Sequence, residues 1–291
     1  MASEPEVRAN SNPIYHYTDT GGLIGIISTS TIRATGSQFL NDSLELEYGM
    51  NLLKNAILDE VSVPFEPIPD EAEGVTVDYV QASMRSLSDM ITPSSVGDTY
   101  VASFSLEGDS LSQWRAYANL GFAIEFDGNE ILNPPAKTST PNRFYGLATT
   151  YTVSYGSEAL AEATRLARQI KRDLRQNPSI GQDGVHLSEY LTSSNLSLGT
   201  TMPFLKHESF ADEREFRLCL NYGTRPSGFK SSPLLGPVPY AEWKFDSSAI
   251  RRVLVAPGAN QEVRALAVER LLAENVPSMT EVSLSKSSYR G

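Results

Sequence analysis

The pattern that most constrains the fold lies near the C-terminus, between residues 252 and 284. Residues 252–256 predict a strand, a Pro-Gly turn follows at 257–260, and apolar residues at helical spacing predict a helix over 261–274. Residues 280–284 predict a second strand. A connection of this length holds a crossover helix, which parallel strands require. The sequence therefore predicts a β-α-β unit at this end of the chain.

The rest of the chain mixes strand and helix signals without a repeating order. Alternating and β-branched segments predict strands at 14–17, 31–35, 100–105, 121–126, 143–155 and 215–220. Periodic apolar residues predict helices after residue 18, from a capping box at 42–45 to residue 57, and over 80–91, 110–119 and 158–175. The segment 61–78 is rich in proline and acid and predicts an exposed loop. This mixture is typical of the α+β class.

The length of 291 residues suffices for a large core. We expect a disordered N-terminus over 1–13 and a single α+β domain over 14–291, with a helical insertion at about 157–207. No apolar run reaches the length of a membrane span, and the polar N-terminus has no signal-peptide core. The lone Cys219 lies in an apolar run without a disulfide partner. These features predict a cytoplasmic protein that does not bind membranes.

The net charge of −11 is concentrated in the first third of the chain. Residues 1–100 contain 4 Lys/Arg and 15 Asp/Glu, whereas the remainder contains 20 of each. Phosphate backbones are bound by clustered cations, so this balance argues against general nucleic-acid binding. The predicted helix 158–175 does carry a basic stripe, for which a solvated face is the favoured interpretation and an acidic partner the alternative: Arg165, Arg168, Lys171, Arg172 and Arg175.

Familiar catalytic motifs are absent from the sequence. It has no Walker loop, no G-x-G-x-x-G, no G-x-S-x-G and no H-E-x-x-H. Three histidines and one cysteine argue against a zinc site, and Cys219 suits a packed thiol better than a nucleophile. We therefore expect no metal.

Two short segments, 15–18 and 213–217, carry polar groups at the edges of predicted strands. A strand confined to the core would not contain a histidine in one segment and two glutamates in the other. We expect the two segments to meet in space and form one site.

Several segments occur in the same order as in DUF2971, a bacterial domain of unknown function. They are residues 15–18 (YHYT), 39–42 (FLND), 103–105 (SFS), 111–117 (LSQWRAY), 121–126, 206–207 with 213–217 (EREFR), and Ser285 with 289–290. Each motif alone is weak, but the ordered set spans about 14–290. The sequence therefore resembles the DUF2971 family.

That family in turn distantly resembles the ADP-ribosyltransferase fold, which implies a split, bent β-sheet core with inserted helices. The resemblance implies NAD as a substrate, with His16 holding NAD from the first strand and Glu213 and Glu215 as an E-x-E pair whose second member is catalytic. It further implies that NAD is bound among Tyr17, Thr18, Arg33, Ser103, Phe104, Ser105, Trp114, Arg115, Tyr117 and Arg217. The stacking aromatic residue stays open among Tyr17, Phe104, Trp114 and Tyr117.

The chemistry of these residue types is consistent with that resemblance. Breaking the nicotinamide–ribose bond builds positive charge on the ribose, which a carboxylate such as Glu215 stabilises most in the transition state. Glu213, two residues earlier on the same predicted strand face, would orient or deprotonate the acceptor. Neutral His16 would hydrogen-bond the ribose or a carbonyl, and Arg33, Arg115 or Arg217 would neutralise the pyrophosphate.

Structural interpretations of the same residues stay open. His16 also suits a half-buried histidine between two tyrosines, and the 213–217 segment suits a surface ladder of charges paired with cations on a neighbouring strand. Trp114 and Tyr117, three apart on one predicted helix, suit core packing. Asn41 and Asp42 suit a helix cap, and Ser103 and Ser105 suit a solvent-facing pair.

The leading hypothesis is an NAD-using ADP-ribosyltransferase or NAD glycohydrolase that acts as an intracellular effector of the toxin or defence type. Its partners would be NAD or a related dinucleotide and a macromolecular acceptor. One alternative is a non-catalytic module of the same fold that binds a nucleotide or a protein. Another is a transferase that modifies nucleic acid, which the acidic balance disfavours and the basic stripe favours.

Overall fold

The computed structural model describes residues 13–40, 43–93, 99–118, 121–132, 148–192, 201–221, 225–276 and 280–287. Within them, ten strands form one mixed sheet. Its main path runs β12-β11-β4-β1-β3-β2-β10-β9, with β8 and β5 attached through β3. The strands are β1 (Pro13–Thr18), β2 (Thr31–Gly36), β3 (Thr99–Ser105), β4 (Phe122–Asp127), β5 (Ala148–Thr152), β8 (Glu215–Asn221), β9 (Gly228–Ser232), β10 (Gly236–Lys244), β11 (Ile250–Val255) and β12 (Glu281–Leu284).

The sheet divides at β3. One edge of β3 pairs with β8 over its whole length, from Thr99 to Ser105. The other edge is shared, because β1 pairs there at Ser105 and β2 at Val101 and Tyr100. On this edge, β1 and β2 diverge from each other beside residues 102–104 of β3. A gap opens in the sheet at this point, and the site described below occupies it.

The two faces of β3 and β8 differ in chemistry. Alternate side chains point to opposite faces of a strand, and one face carries Phe104 and Phe216, which lie in a buried core with Phe126 and Trp243. Helix α1 (Thr20–Thr29) and the C-terminal helix α6 (Gln261–Asn275) contribute to this core. The opposite face carries polar side chains: Ser103 and Ser105 on β3 lie opposite Arg217 and Glu215 on β8.

A second core is made by helices. Helices α2 (Ser43–Val61), α3 (Val77–Met90), α4 (Gly156–Gln176) and α5 (Gly184–Thr192) bury a common apolar cluster that includes Leu53, Ile57, Met84 and Ile170. Leu205, in the short strand β7 (Leu205–Lys206), joins this cluster and pairs with β6 (Ser154–Tyr155). The helical layer thereby meets the polar face of the sheet through β7.

The chain is thus a mixed α/β structure with a large mixed sheet. The predicted β-α-β unit is present, with β11 and β12 parallel and α6 between them. The sequence placed a strand over 143–155, of which β5 and β6 are described, and residues 143–147 lie outside the described residues. The Asn41–Asp42 cap and the 289–290 segment also lie outside them. No described helix is long and apolar enough to cross a bilayer.

Candidate functional site

A cleft of about 880 Å³ lies at the gap in the sheet. Its walls come from β1, β2, β3, β8, β9, helix α1 and the segment before β8. Most of the residues predicted from the sequence line it: His16, Tyr17, Thr18, Arg33, Ser103, Phe104, Ser105, Tyr117, Glu213, Glu215 and Arg217. Segments 15–18 and 213–217 therefore meet at one cleft, as the sequence predicts.

The prediction that Glu213 and Glu215 share a strand face is wrong. Glu213 ends a 3-10 helix (Glu208–Glu213), and Arg214 takes a left-handed conformation with φ 44° before β8 begins at Glu215. Ser105 Oγ donates to the Glu213 carbonyl at 2.9 Å, and Glu215 N donates to Tyr155 Oη at 2.8 Å. The backbone turn, rather than strand alternation, brings both carboxylates to the cleft.

Two cations hold these carboxylates in a buried cluster. Lys206 Nζ lies 3.1 Å from Glu215 Oε2 and 3.5 Å from Glu45 Oε2, and it also pairs with Glu213 Oε2. Arg217 Nη2 lies 2.8 Å from Glu215 Oε2 and pairs with Glu45 Oε1. Lys206 is 3% exposed, Arg217 2% and Glu215 7%. We call these five residues the ion cluster. With all groups ionised, three carboxylates and two cations leave one negative charge.

The cluster keeps Glu215 ionised. Burial alone would raise the pKa of Glu215, but Arg217 and Lys206 outweigh it and hold that pKa below its ordinary value. A hydrogen bond from the Ser103 side chain acts in the same direction. Glu45 differs, because burial outweighs its cations and raises its pKa. Burial therefore favours the neutral form of Glu45, whereas the two cations favour the ionised form of Glu215.

The surface-ladder interpretation of 213–217 is wrong. Arg217 and Glu215 are buried, and their partners come from β7 and α2 instead of a neighbouring strand surface. Neither Lys206 nor Glu45 was predicted from the sequence to belong to the site. Glu45 sits where a capping box predicts a carboxylate near its own helix N-terminus, whereas the structure turns this carboxylate toward Arg217 and Lys206.

His16 lies on β1, beside the gap in the sheet. Its Nδ1 is 3.0 Å from the Ser103 carbonyl, which can only accept, so Nδ1 carries the proton and Nε2 is the acceptor. Burial lowers the pKa of His16, and the nearby charge of Lys230 lowers it further. These two effects outweigh the hydrogen bond to the Ser103 carbonyl, which raises the pKa, so the ring is neutral at pH 7. The Phe104 ring packs 5.6 Å from it.

Ser103 joins the two halves of the site. Its carbonyl contacts His16, and its side chain bonds to Glu215 on the neighbouring strand. The pairing of Tyr15 with Ser105 places the His16 side chain on the Phe104 face of the sheet, whereas Glu215 points to the other face. Both residues line the same cleft, which therefore passes through the gap in the sheet. Because β1 and β8 lie on either side of β3, the backbones of these two strands are about 10 Å apart.

The aromatic residues of 114–117 separate into two roles. A single helix was predicted over 110–119, but a short α-helical turn at Leu111–Gln113 passes into a π-helix at Trp114–Ala118. Tyr117, 41% exposed, lines the cleft and donates its hydroxyl to Glu213 Oε1 at 3.1 Å. Trp114 is buried against Tyr17 and does not line the cleft, as the core-packing interpretation predicts and the ligand-binding interpretation does not. Arg115 is exposed and lies outside the cleft lining.

The segment that contains most of these residues matches a known family model. Residues 113–218 match the model described as protein of unknown function DUF2971. The match begins beside Trp114 and ends within β8, so it includes Tyr117, Lys206, Glu213, Glu215 and Arg217. It confirms the DUF2971 resemblance over this segment, although the resemblance was predicted to extend over about 14–290. No curated protein and no solved structure matches the chain.

Asp109, which precedes the matched segment, anchors the turn that carries Tyr117. Its Oδ1 accepts from Trp114 Nε1 at 2.7 Å and from Ser285 Oγ, and its Oδ2 accepts from Lys286 N at 2.8 Å. Burial raises the pKa of Asp109, but these hydrogen bonds outweigh it and lower that pKa below its usual value. The C-terminal residues 285–287 are thereby tied to the turn that carries Tyr117, which gives Ser285 a structural role.

Asp109→Ala is expected to lower the free energy of unfolding by about 2 kcal/mol at pH 7, since it removes an ionised acceptor of several hydrogen bonds. The ionised Asp109 stabilises the fold above its unfolded pKa of about 3.9, and this contribution is lost as the pH falls through its lower folded pKa. Urea unfolding at pH 7 and pH 3 measures both effects. An equal deficit at the two pH values would contradict the assignment.

The basic stripe on α4, also within the DUF2971 segment, is divided by the fold. Lys171 is buried and donates to the carbonyls of Glu60 and Val63 at 3.0 and 2.9 Å. Arg175 is buried too, and pairs with Glu71 at 2.9 Å. A solvated face is right for the exposed Arg165, Arg168 and Arg172 and wrong for the other two. The stripe is not a continuous cationic surface and gives the nucleic-acid hypothesis no support.

The described residues contain no group of three His, Cys, Asp or Glu side chains arranged to hold a metal ion. Cys219 is buried, and burial raises its pKa to about 12, so the thiol is not a nucleophile. Two further cations line the cleft, Arg33 on β2 and Lys230 on β9. Lys230 was not identified from the sequence.

Proposed function

We propose that this protein is an NAD-using enzyme, an ADP-ribosyltransferase or an NAD glycohydrolase. The observation that carries the proposal is the ion cluster, in which an ionised Glu215 and a partly accessible Glu213 line a cleft large enough for a dinucleotide. Neutral His16 and Tyr117 line the same cleft. The division of the sheet at β3 supports the resemblance to the ADP-ribosyltransferase fold.

The reaction divides between the two carboxylates. The bond between ribose C1′ and the nicotinamide nitrogen breaks, and nicotinamide leaves neutral with the bonding electrons while positive charge develops on the ribose. Glu215 stabilises this charge, and its fixed position costs no reorganisation during the reaction. The acceptor oxygen bonds to C1′ and gives its proton to Glu213, which lies nearer the surface than Glu215. Water as acceptor gives hydrolysis, and a macromolecular nucleophile gives transfer.

The other cleft residues bind and orient. His16 Nε2 accepts a hydrogen bond from a ribose hydroxyl, because Nδ1 donates to Ser103. Tyr117 holds Glu213 through its hydroxyl and offers its ring as one wall against the leaving nicotinamide. Ser105 donates to the Glu213 carbonyl and so positions the Glu213 backbone.

Nicotinamide release tests the proposal. Purified full-length protein incubated with NAD is expected to release nicotinamide, measured by chromatography, and His16→Ala is expected to slow release about 10-fold through the loss of a substrate hydrogen bond. His186→Ala is a matched control, since His186 is a partly exposed histidine on α5 that pairs with Asp183 and lies outside the cleft lining. Absence of release, or equal release by His16→Ala and the parent, contradicts the assignment.

A second candidate function is favoured by how completely Glu215 is paired. Lys206, Arg217 and Ser103 all bond its carboxylate, which suits a fixed wall of a non-catalytic nucleotide-binding module. In that case NAD and ADP-ribose would raise the melting temperature while neither is consumed. A ligand at 100 times its Kd stabilises the folded state by about 2.7 kcal/mol, which thermal unfolding detects.

A further inference from the structure

One end of the cleft has two cations that the ion cluster does not neutralise. Strand pairing places Arg33, Thr35, Lys230 and Ser232 on one face of the β2-β10-β9 sheet, since Arg33 and Thr35 lie opposite Glu242 and Tyr240 while Lys230 and Ser232 lie opposite Val238 and Gly236. All four line the cleft. We call them the cationic end.

These cations are weakly paired. Lys230 Nζ donates to Thr35 Oγ1 at 2.7 Å, and across the described ranges no carboxylate lies within 4.0 Å of it. Arg33 has a carboxylate at the limit of an ion pair, Glu242 at 4.0 Å, and its guanidinium lies 4.6 Å from the centre of the Tyr240 ring. The Arg33 side chain is 58% exposed. In contrast, Lys206 and Arg217 each form ion pairs with carboxylates at close distance, for example with Glu215 at 3.1 and 2.8 Å.

The two cations repel each other. Burial lowers the pKa of Lys230, and the neighbouring Arg33 lowers it further. Lys230 also disfavours a charge on His16. An anion placed between the two cations would remove this repulsion, and the hydroxyls of Thr35 and Ser232 add donors for its oxygens. Arg33, with a planar fork on an aromatic face, suits a phosphate oxygen pair, while Lys230 supplies a point charge.

We propose that the cationic end is a phosphate-binding subsite, which takes a diphosphate or a terminal phosphate of a nucleotide. The subsite deepens the proposed function and rests on it for the identity of the nucleotide. The opposite charge of the two ends then orients the ligand, with phosphates at Arg33 and Lys230 and the ribose that reacts at the ion cluster. Phosphate binding itself does not require that any bond is broken.

Calorimetric titration of the full chain with inorganic pyrophosphate tests the subsite. Parent protein is expected to bind, and Arg33→Met and Lys230→Met are each expected to weaken binding about 10-fold, as the loss of one charged hydrogen bond does. Arg172→Met is the matched control, because Arg172 is an exposed arginine on α4. Binding that is equal in parent and Arg33→Met/Lys230→Met overturns the proposal, and so does equal weakening by Arg172→Met.

Two further measurements distinguish an internal diphosphate from a terminal phosphate, and the phosphate subsite from the proposed enzymatic function. Tighter binding of ADP-ribose than of ADP would assign the subsite to an internal diphosphate, and the reverse order would assign it to a terminal phosphate. ADP-ribose binding is also expected to take up protons in alkaline solution, because the anion raises the lowered pKa of Lys230 while the diphosphate of ADP-ribose does not itself titrate there, and titration in two buffers measures this uptake. Pyrophosphate binding without nicotinamide release would support the subsite and contradict the enzymatic function.

Discussion

Lys206→Met is expected to lower the free energy of unfolding at pH 7 by about 3–5 kcal/mol, the cost of removing one partner from a buried ion pair. The substitution leaves Glu45, Glu213 and Glu215 with Arg217 as the one remaining cation of the cluster. Urea unfolding measures the change. Lys54→Met on α2 is the matched control and is expected to change stability by less than about 0.5 kcal/mol, since no ion pair to Lys54 is found in the described part of the chain.

The pH dependence separates charge from packing in this prediction. In the parent, ionised Glu215 stabilises the fold above its unfolded pKa of about 4.3, and that contribution is lost as the pH falls through its lower folded pKa. Without Lys206 the pKa of Glu215 rises, so protonation at about pH 4 relieves the repulsion in the variant. We expect the deficit to shrink between pH 7 and pH 4. A constant deficit would mean that Lys206 matters for packing alone.

The parts of the fold that the sequence predicted are those with local signals. The β-α-β unit follows from a Pro-Gly turn between two periodic segments, and α4 follows from its apolar stripe at 3.6-residue spacing. The polar side of α4 was less predictable. Lys171 and Arg175 are charged like the exposed arginines beside them, but the packing of α2 and the 61–78 segment against α4 buries them.

The composition of the site was predictable in outline, and its geometry was not. His16, Glu213 and Glu215 stood out because they are polar residues in apolar surroundings. Their partners are set by long-range pairing: Glu45, about 170 residues before Arg217, reaches it from another layer, and Lys230 reaches Thr35 across β10. The left-handed turn at Arg214 lacks a glycine that would announce it. Strand alternation therefore predicted the wrong face relation for Glu213 and Glu215.

Glu215→Gln and Glu213→Gln are each expected to reduce nicotinamide release from NAD about 10²–10³-fold, the usual effect of removing an electrostatic group that acts in the transition state. The loss should fall on kcat with KM little changed, because the carboxylates stabilise charge that is absent from bound NAD. Glu262→Gln on α6 is the matched control, since Glu262 is an exposed glutamate of the C-terminal helix. Steady-state kinetics of the four proteins measures these effects.

The stability of Glu215→Gln and Glu213→Gln, compared with their turnover, separates a catalytic role of the carboxylates from a structural one. Glu215→Gln weakens pairs with both Lys206 and Arg217, whereas Glu213→Gln affects Lys206 and Tyr117 at a more accessible position. We therefore expect Glu215→Gln to lose more stability than Glu213→Gln, while both lose turnover. If turnover fell in proportion to stability, with Glu213→Gln nearly as active as the parent, the cluster would be a structural support. Loss of turnover by a fully folded Glu213→Gln protein places the chemistry at these carboxylates, because the fold then survives and the reaction does not.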